Sequence, residues 1–546
     1  MKKFVLIILL PITFIFGCMK KKTVDLIVFN AKIYTVDSLF STAEAVAIAQ
    51  GKFVAAGTTD EILHRFKADK MLDLKGKTVY PGFIDAHSHF YGYGLFAQRI
   101  DLTATTSFEE ILDIVKKWAD ENPEGWIIGR GWDQNKWKQT EYPDNQLLNE
   151  LFPDRPVMLT RVDGHAVLVN NKALEISGLK LNENKKFAIF KKDRFTGILL
   201  DNAADIVKDA ANHPADEEIV RALKVAQEEC FKSGLTTICD AGQKVRFIEI
   251  MDKLQQKGEL KIRIYAMLDP EDESVRFINE KGIFRTGRLT VRAIKLYADG
   301  ALGSRGACLL MPYSDMPETK GSILFSNDFY SKYCEVAYAS NYQVCMHAIG
   351  DSANRFALTL FAGFLKTSND RRWRIEHAQV INEADFGMFG KYNIIPSVQF
   401  VHAVSDMGWA EKRLGSKRLQ NAYAYKKLMS QNGWIPYGSD FPVEEVNPLP
   451  GFYAAVFRKN FNGEPEGGFL PENAVSRQEA LKAMTIWAAK ACFEENDRGS
   501  IESGKAADFV VMDTDLLNAD EKQIRQAKVL KTFVGGEEVF SEQLNH

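Results

Sequence analysis

Apolar and polar residues alternate in short runs at both ends of the chain, and this pattern predicts β-strands. The runs near the start lie at 24–29, 31–36, 45–49 and 52–56, and those near the end lie at 507–512, 529–534 and 538–540. Neither group alone has enough strands to bury a good core. We therefore expect residues 24–80 and 498–546 to pair into one small domain.

Between these ends, apolar strand-like runs alternate with stretches of helical periodicity. Eight such runs lie at 79–84, 236–241, 261–268, 289–297, 343–346, 374–376, 393–398 and 435–438. Repeated alternation of this kind favours an α/β fold with a parallel barrel, which we place at 81–497. The interval between the first two runs is unusually long, so we expect an insertion within 91–215. Its position predicts that it shapes the substrate pocket.

The start of the chain predicts export. Two lysines precede an apolar run at 4–16, and Gly17 and Cys18 follow it. A basic start, a short apolar core and a small residue before the cleavage point are typical of a secretory signal peptide, here residues 1–18. Because residues 15–18 resemble a bacterial lipobox, we expect lipid attachment at Cys18 and a location in the cell envelope. An ordinary signal peptide with an incidental cysteine is the alternative.

Charge and cysteine content argue against a nucleic-acid-binding protein and against a disulfide framework. The formal net charge is -3 and the pI is about 6.4, which gives no electrostatic reason to expect a nucleic-acid partner. The six cysteines after Cys18 contain no CxxC pair and no spacing that suggests a disulfide framework. Several lie in apolar runs, so buried free thiols are the simpler interpretation even for an exported protein.

The pair His87 and His89 is the first candidate for metal chemistry. It follows the apolar run that ends at residue 84, and residues i and i+2 of a strand point to the same side. Barrel enzymes place their chemistry at the carboxyl ends of strands. An isolated HxH pair is a weak signal, but the preceding Pro-Gly-Phe-Ile-Asp-Ala makes it much stronger.

Three further residues follow later predicted strands in the same way. His347 comes after the run at 343–346, His377 after the run at 374–376, and Asp440 just after the run at 435–438. Neutral imidazole is the commonest metal ligand, and a carboxylate in such a place could bind metal and accept a proton from water. A core histidine and a helix-capping aspartate are the alternative readings.

Lys295 lies inside the apolar run at 289–297, where an unpaired ammonium group would be costly to bury. One interpretation is that its side chain reaches along the barrel to solvent. The other is carbamylation by CO2, which would produce an anion able to bridge two metal ions.

Together these residues resemble the amidohydrolase superfamily, and more narrowly its family 3, the YtcJ-like proteins that include N-substituted formamide deformylases. The similar stretches are PGFIDAHSH (81–89), GRGWD (129–133), DGH (163–165), KLYADGALGSR (295–305), HAIGD (347–351), IEH (375–377), GSD (438–440) and GSIESGKAAD (499–508). They cover nearly everything after residue 24 in the expected order. Leu168 stands where the family often has Trp, a difference that leaves metal chemistry untouched.

The resemblance implies a (β/α)8 TIM barrel with a composite β-sandwich built from both termini. It also implies six metal ligands: His87, His89, Lys295 as a carbamate, His347, His377 and Asp440. Zinc suits imidazole and carboxylate ligands, and one or two ions are compatible with the set. The expected reaction is hydrolysis of a C–N bond in a small amide or formamide-like molecule, with Asp440 as the catalytic proton acceptor.

Two residues are candidates for binding the substrate. His165 and Arg305 could each hold a substrate oxygen or carboxylate, but His165 could equally be structural and Arg305 could anchor the glycine-rich loop at 300–306. Aromatic residues near the metal strand and in the insertion suggest an apolar or aryl substrate, and core packing explains them equally well. These residues are Phe90, Tyr91, Trp132 and Trp137.

Two rival functions remain at this point. The same site could hydrolyse an ester, or the protein could be an envelope lipoprotein that binds a ligand without turnover. The presence of all six expected ligands argues against an inactive site. The sequence identifies neither the substrate nor the oligomeric state, and it leaves a homodimer open.

Overall fold

The computed structural model describes residues 21–134, 137–161, 166–211, 215–367 and 369–542. Its strands are β1 (Lys22–Phe29), β2 (Lys32–Tyr34), β3 (Thr42–Ala43), β4 (Ala45–Ala49), β5 (Lys52–Gly57), β6 (Phe66–Asp73), β7 (Thr78–Pro81), β8 (Phe83–Ser88), β9 (Ile100–Asp101), β10 (Ile127–Trp132), β11 (Val157–Arg161), β12 (Ala166–Val169), β13 (Ala188–Lys191), β14 (Arg194–Leu200), β15 (Leu235–Gln243), β16 (Arg263–Leu268), β17 (Phe284–Arg285), β18 (Leu289–Tyr297), β19 (Gln343–Ala348), β20 (Arg374–His377), β21 (Ile395–Ser397), β22 (Phe509–Met512), β23 (Val529–Val534) and β24 (Glu537–Ser541).

Its α-helices are α1 (Thr59–Arg65), α2 (Phe90–Ala97), α3 (Phe108–Glu121), α4 (Gln146–Leu151), α5 (Asn171–Ser177), α6 (Asp201–Ala211), α7 (Asp216–Lys232), α8 (Val245–Gln256), α9 (Asp272–Lys281), α10 (Asn327–Ala339), α11 (Asp351–Leu365), α12 (Phe386–Tyr392), α13 (His402–Asp406), α14 (Ala410–Leu419), α15 (Tyr425–Asn432), α16 (Leu449–Phe457), α17 (Arg477–Ala483), α18 (Ile486–Ala491) and α19 (Glu521–Arg525).

A continuous sheet of parallel strands forms the middle of the molecule. Its main path within the described residues runs β8, β15, β16, β18, β19, β20 and β21, and neighbouring strands on this path are parallel. Helices alternate with these strands, as α8 follows β15 and α11 follows β19. The barrel predicted from the sequence is confirmed in this form, as a TIM-like barrel that is nearly closed.

The segment predicted as the eighth strand lies between β21 and β8 but pairs only at single residues. Tyr437 forms an isolated parallel bridge with Val398, and its carbonyl oxygen accepts a hydrogen bond from the N–H of Ala86 at 3.0 Å. Pro436 has no N–H to add to a ladder. Gly438 allows the close approach, since a Cβ atom there would lie 2.3 Å from the His87 nitrogen.

The prediction of one strand at 79–84 was wrong, because the structure has two strands there. Strand β7 ends at Pro81 and belongs to a different sheet, whereas β8 begins at Phe83 and is the first barrel strand. All of the residues in both strands are buried. The apolar run is therefore continuous in the sequence although the chain passes from one sheet to the other at Gly82.

Strands from both ends of the chain share one sheet. Its order is β24, β23, β22, β7, β2 and β3, and β22 pairs antiparallel with β7. A second sheet, in the order β5, β4, β1 and β6, contains only residues from the start. Side chains of the two sheets meet in one buried core that includes Val28, Ile48, Val79 and Phe509.

Helix α1 and strand β6 were not predicted from the sequence. Strand β6 pairs in parallel with β1, and its exposed residues hide the apolar alternation that reveals the other strands.

The segment between α2 and α7 contains a sheet of its own. Its strand order is β13, β14, β12, β11, β10 and β9, with helices α3 to α6 in the same stretch of chain. Trp132 and Trp137 are buried in the core between this sheet and α3. Phe90 and Tyr91 are buried in the main core. These positions support the core-packing interpretation of the four aromatic residues.

The predicted signal peptide and the cysteines are the features that relate to export. Cys18 and the signal peptide lie outside the described residues, and no described helix combines the length and apolar character of a membrane span. The six later cysteines are all buried and none forms a disulfide in the structure.

Candidate metal centre

His87 and His89 approach the same oxygen atom of Asp440. His87 lies near the end of β8 and His89 directly follows that strand. Their Nε2 atoms are 3.5 and 3.2 Å from Oδ1 of Asp440. This oxygen is buried and has no hydrogen-bond partner of good geometry.

The other nitrogen of each ring shows where its hydrogen lies. Nδ1 of His89 is 3.1 Å from the carbonyl oxygen of Ala241, and Nδ1 of His87 is 2.6 Å from Oε2 of Glu376. Because a carbonyl or an ionised carboxylate only accepts hydrogen bonds, Nδ1 carries a hydrogen in both rings, and Nε2 is the ring nitrogen that faces Asp440. Two imidazole nitrogens therefore face one carboxylate oxygen, an arrangement that suits a shared cation.

His377 and His402 form a second group with Asp440. One candidate ligand atom from each of these three residues lies within 4.8 Å of the others, and the same is true of His87, His89 and Asp440. Nδ1 of His377 is 2.7 Å from Oε1 of Gln399, so Nε2 is the ring nitrogen left for a metal ion. Asp440 thus belongs to both groups.

The backbone is strained at two of these residues. Asp440 has a φ of 65° and His377 has a φ of 72°, a left-handed conformation that costs a residue other than glycine about 1–3 kcal/mol. His377 is the last residue of β20, and Asp440 follows the segment at 435–438 that lies between β21 and β8. Strain of this kind persists where the surrounding structure enforces it, and it is concentrated at functional sites.

Asp85 holds the eighth segment in place beside His87. Its carboxylate accepts hydrogen bonds from the N–H and the hydroxyl of Ser439 at 3.1 and 2.6 Å, and from the N–H of His87 at 3.0 Å. This buried residue therefore ties the strand of one ligand to the loop of another. Its role was not predicted, although it lies within the quoted stretch 81–89.

Lys295 lies beside the same group of side chains. Its side chain is completely buried, and Nζ is 3.0 Å from Nε2 of His87. Burial lowers the pKa of this amine. The side chain does not reach solvent, which argues against the first interpretation of this lysine.

His347 is adjacent to the site but belongs to neither group. Its ring centroid is 4.5 Å from that of His377, while its Nε2 lies 3.5 Å from Oδ1 of Asp299. Burial, together with the charge of Lys295, lowers the pKa of His347 to about 3. Burial and the same charge lower the pKa of His87 to about 4. Both imidazoles are therefore neutral at pH 7 and able to bind metal.

Glu376 and Arg374 support His87 and were not predicted from the sequence. Nε of Arg374 lies 2.8 Å from Oε1 of Glu376, and both side chains are completely buried. Burial raises the pKa of Glu376, but the charge of Arg374 and the hydrogen bond from His87 outweigh that effect and hold it at about 2. The ionised carboxylate fixes the orientation of the His87 ring.

His402 was also missed by the sequence analysis. It lies four residues beyond the predicted run at 393–398, at the start of helix α13, whereas His347 and His377 lie within barrel strands. That spacing is the signal that could have identified it.

The two predicted substrate-binding residues have different outcomes. His165 lies outside the described residues. Arg305 forms an ion pair with Asp315 at 2.9 Å, and Arg413 contacts the same carboxylate. These contacts match the loop-anchoring interpretation of Arg305, and its contact with substrate stays a prediction.

The donor set and its spacing suit a divalent metal ion. Ligands about 2.1 Å from a tetrahedral ion are separated from one another by roughly 3.4 Å. The distances of 3.5 and 3.2 Å from the imidazole nitrogens to Asp440 fit this value. The exposed part of the site is formed by His89, whose side chain is 32% exposed. The site is therefore partly open to solvent.

Comparisons with known proteins identify related sequences over most of the chain. Residues 70–540 match the sequence model of a family described as "Amidohydrolase family". YtcJ of Bacillus subtilis (strain 168) is 30% identical over 522 residues, which cover 93% of this chain and 98% of YtcJ. The N-substituted formamide deformylase of Arthrobacter pascens is 26% identical over 552 residues, which cover 94% and 97% of the two chains.

A solved structure shares the fold. An uncharacterized metal-dependent hydrolase from Pyrococcus horikoshii OT3 superimposes with a TM-score of 0.79 at 28% sequence identity. The match covers 91% of this chain and 99% of the other.

Proposed function

The chain belongs to the amidohydrolase family, and from this premise we propose that it cleaves the C–N bond of a formamide or another small amide. It is a metal-dependent hydrolase of the amidohydrolase superfamily. The observation that carries the proposal is the pair of imidazole Nε2 atoms that lie 3.5 and 3.2 Å from Asp440 Oδ1. The deformylase similarity supports the formamide-like substrate.

The proposed ligands are those that the resemblance implies. His87, His89, His377 and Asp440 would hold metal directly, and His347 and Lys295, as a carbamate, would complete the set. Zinc suits these donors, and one or two ions are compatible with them. A divalent metal bound here would polarise the substrate carbonyl and lower the pKa of a water molecule to about 7.

The protein side chains would move the proton. Asp440 is placed to orient the attacking water, accept its proton and pass that proton to the leaving nitrogen. Glu376 keeps His87 in the tautomer whose Nε2 faces the site. His165 and Arg305 are the proposed contacts for a substrate oxygen or carboxylate.

Two other properties are proposed from the sequence. The chain would be lipid-anchored through Cys18 in the bacterial cell envelope, and it could act as a homodimer. Mass spectrometry of the membrane-derived protein would reveal a lipidated Cys18 at the mature N-terminus. An unmodified cysteine would refute the anchor without affecting the hydrolase assignment.

The function is tested by metal content and a substrate panel. The purified protein is freed of metal with a chelator, reloaded with zinc, and assayed on N-substituted formamides, amides and esters. We expect hydrolysis of a formamide or amide that is lost with the metal and restored with it. Hydrolysis of esters alone would favour the esterase, and bound metal without any turnover would favour the ligand-binding lipoprotein.

The same metal measurement tests whether Lys295 is a carbamate that bridges two ions. If the Lys295 carbamate bridges two ions, Lys295→Ala should hold one zinc or fewer where the parent holds about two. Equal zinc content in both proteins would remove the carbamate from the proposal.

A further inference from the structure

We propose that His402 is a metal ligand and that it forms, with His377 and Asp440, a second cation site next to the one at His87 and His89. This inference rests on the proposed function and extends its ligand set by a residue that the resemblance does not include. It follows from how the two oxygens of Asp440 are used.

Each oxygen of Asp440 faces a different side of the site. Oδ1 is the atom that His87 and His89 approach, at 3.5 and 3.2 Å. Oδ2 lies 3.9 Å from Nε2 of His402. A carboxylate that uses one oxygen for each of two imidazole groups is well placed to bridge two cations.

The Nε2 atom of His402 lacks the partner that a buried nitrogen normally has. It is buried and makes no hydrogen bond with any described residue. Its two acidic neighbours, Asp440 Oδ2 and Glu444 Oε1, are both 3.9 Å away, which is too long for a hydrogen bond. A cation with bonds of about 2.1 Å to nitrogen and oxygen would occupy that gap after a small side-chain movement.

The surrounding residues complete a plausible coordination shell. The rings of His377 and His402 are nearly parallel, with an interplanar angle of 15° and centroids 6.0 Å apart. Gln399 holds Nδ1 of His377, so the metal-facing nitrogen is fixed as Nε2. Glu444, whose side chain is only 17% exposed, would supply a fourth ligand directly or through water.

The charge balance also favours a cation at this place. Two acidic side chains converge here, since Asp440 Oδ2 and Glu444 Oε1 each lie 3.9 Å from Nε2 of His402. The two carboxylates together with the two imidazoles match the ligand preferences of a divalent zinc-like ion.

The test counts metal ions and uses His402→Asn, whose shorter amide cannot reach the position of Nε2. Metal-free parent, His402→Asn and a control, His64→Asn, are dialysed against zinc, and bound zinc per chain is measured. His64 is an exposed residue of helix α1, far along the chain from the site. We expect two zinc ions in the parent and the control, and one in His402→Asn.

A second readout uses cadmium in place of zinc. The 113Cd NMR spectrum of the parent should contain two resonances, and that of His402→Asn should retain one of them. His402→Gln, whose amide oxygen reaches further, should recover a more weakly held second ion. Circular dichroism and thermal unfolding show whether each variant is folded, and retention of the first resonance confirms an intact site at His87 and His89.

Three outcomes decide between the proposals. One zinc in the parent, or two in folded His402→Asn, would overturn the second site while the hydrolase assignment stands. No bound metal in the parent would instead contradict the proposed function itself. If His402→Asn binds one zinc ion while the parent and the control bind two, both the second site and the proposed function are supported.

Discussion

The two ends of the barrel bury charged groups in opposite ways. At the amino end, Arg263 donates two hydrogen bonds to Asp508, at 2.6 and 3.0 Å, and the N–H of Gly535 donates to the same carboxylate. At the carboxyl end, Oδ1 of Asp440 is buried without a hydrogen bond of good geometry. The first carboxylate is satisfied by the protein, whereas one oxygen of the second has no hydrogen bond.

This difference separates groups that stabilise the fold from groups that are arranged for chemistry. Arg263 begins barrel strand β16, and Asp508 directly precedes β22 of the sheet built from both chain ends. Their ion pair joins barrel and sheet. The residues around Asp440 instead combine unsatisfied polar atoms and a left-handed backbone, so they add strain that a bound ion would relieve.

The largest expected effect is on catalysis at the carboxyl end. Asp440→Asn removes the proposed proton acceptor, so turnover should fall roughly 10²–10⁴-fold while the imidazoles still hold metal. The free energy of unfolding of the metal-free protein should change little, because Oδ1 of Asp440 has no hydrogen bond to lose. Steady-state kinetics and denaturant unfolding measure the two effects. Unchanged turnover would remove Asp440 from the mechanism.

The matched substitution at the amino end should have the opposite effect. Asp508→Asn leaves Arg263 buried without its counter-charge, and the free energy of unfolding should fall by about 3–5 kcal/mol. Turnover per folded molecule should stay unchanged. The double variant with Arg263→Met, which removes both charges, is the control and should recover much of the loss. Equal stability of Asp508→Asn and the parent would show that the pair contributes nothing.

The same ion pair predicts a dependence on pH. Burial raises the pKa of Asp508, but the charge of Arg263 outweighs the effect of burial. The pKa of Asp508 therefore lies below its ordinary value of 3.8. Because this pKa is lowered in the folded state, the ion pair stabilises the protein fully at a pH above 3.8. That stabilisation is lost as the pH falls through the pKa of Asp508 in the folded protein. The free energy of unfolding of the parent, measured in urea from pH 6 downward, should therefore decrease more steeply below pH about 4 than that of the double variant.

Much of this contrast could be predicted from the sequence, for a physical reason. Parallel barrel strands are buried on both faces, so they appear as apolar runs, and histidines that end such runs stand out. His87, His89 and His377 were identified in this way, and the structure brings them together around Asp440. The pattern could not separate β7 from β8, because burial is equally complete in both.

The residues that were missed depend on contacts distant in the sequence. Glu376 was visible only as a neighbour of His377, since its partner His87 is 289 positions away. Arg263 and Asp508 are separated by 245 positions, and nothing local pairs them. His402 lies in a helix that follows a short strand, so it did not end an apolar run as the other histidines do.

The smallest of the expected effects concerns the residue that orients His87. Glu376→Gln would keep the shape of the side chain but lose the charge that fixes the His87 tautomer, and zinc affinity should fall about 10–100-fold. The matched control is Glu494→Gln, a buried acid at the amino end that accepts a hydrogen bond from Thr290 at 2.9 Å. Competition with a chromophoric chelator measures the zinc affinity of each protein. An equal loss of zinc affinity in the two variants would mean that Glu376 affects metal binding only through the stability of the barrel. The contrast between the two ends would then not extend to Glu376.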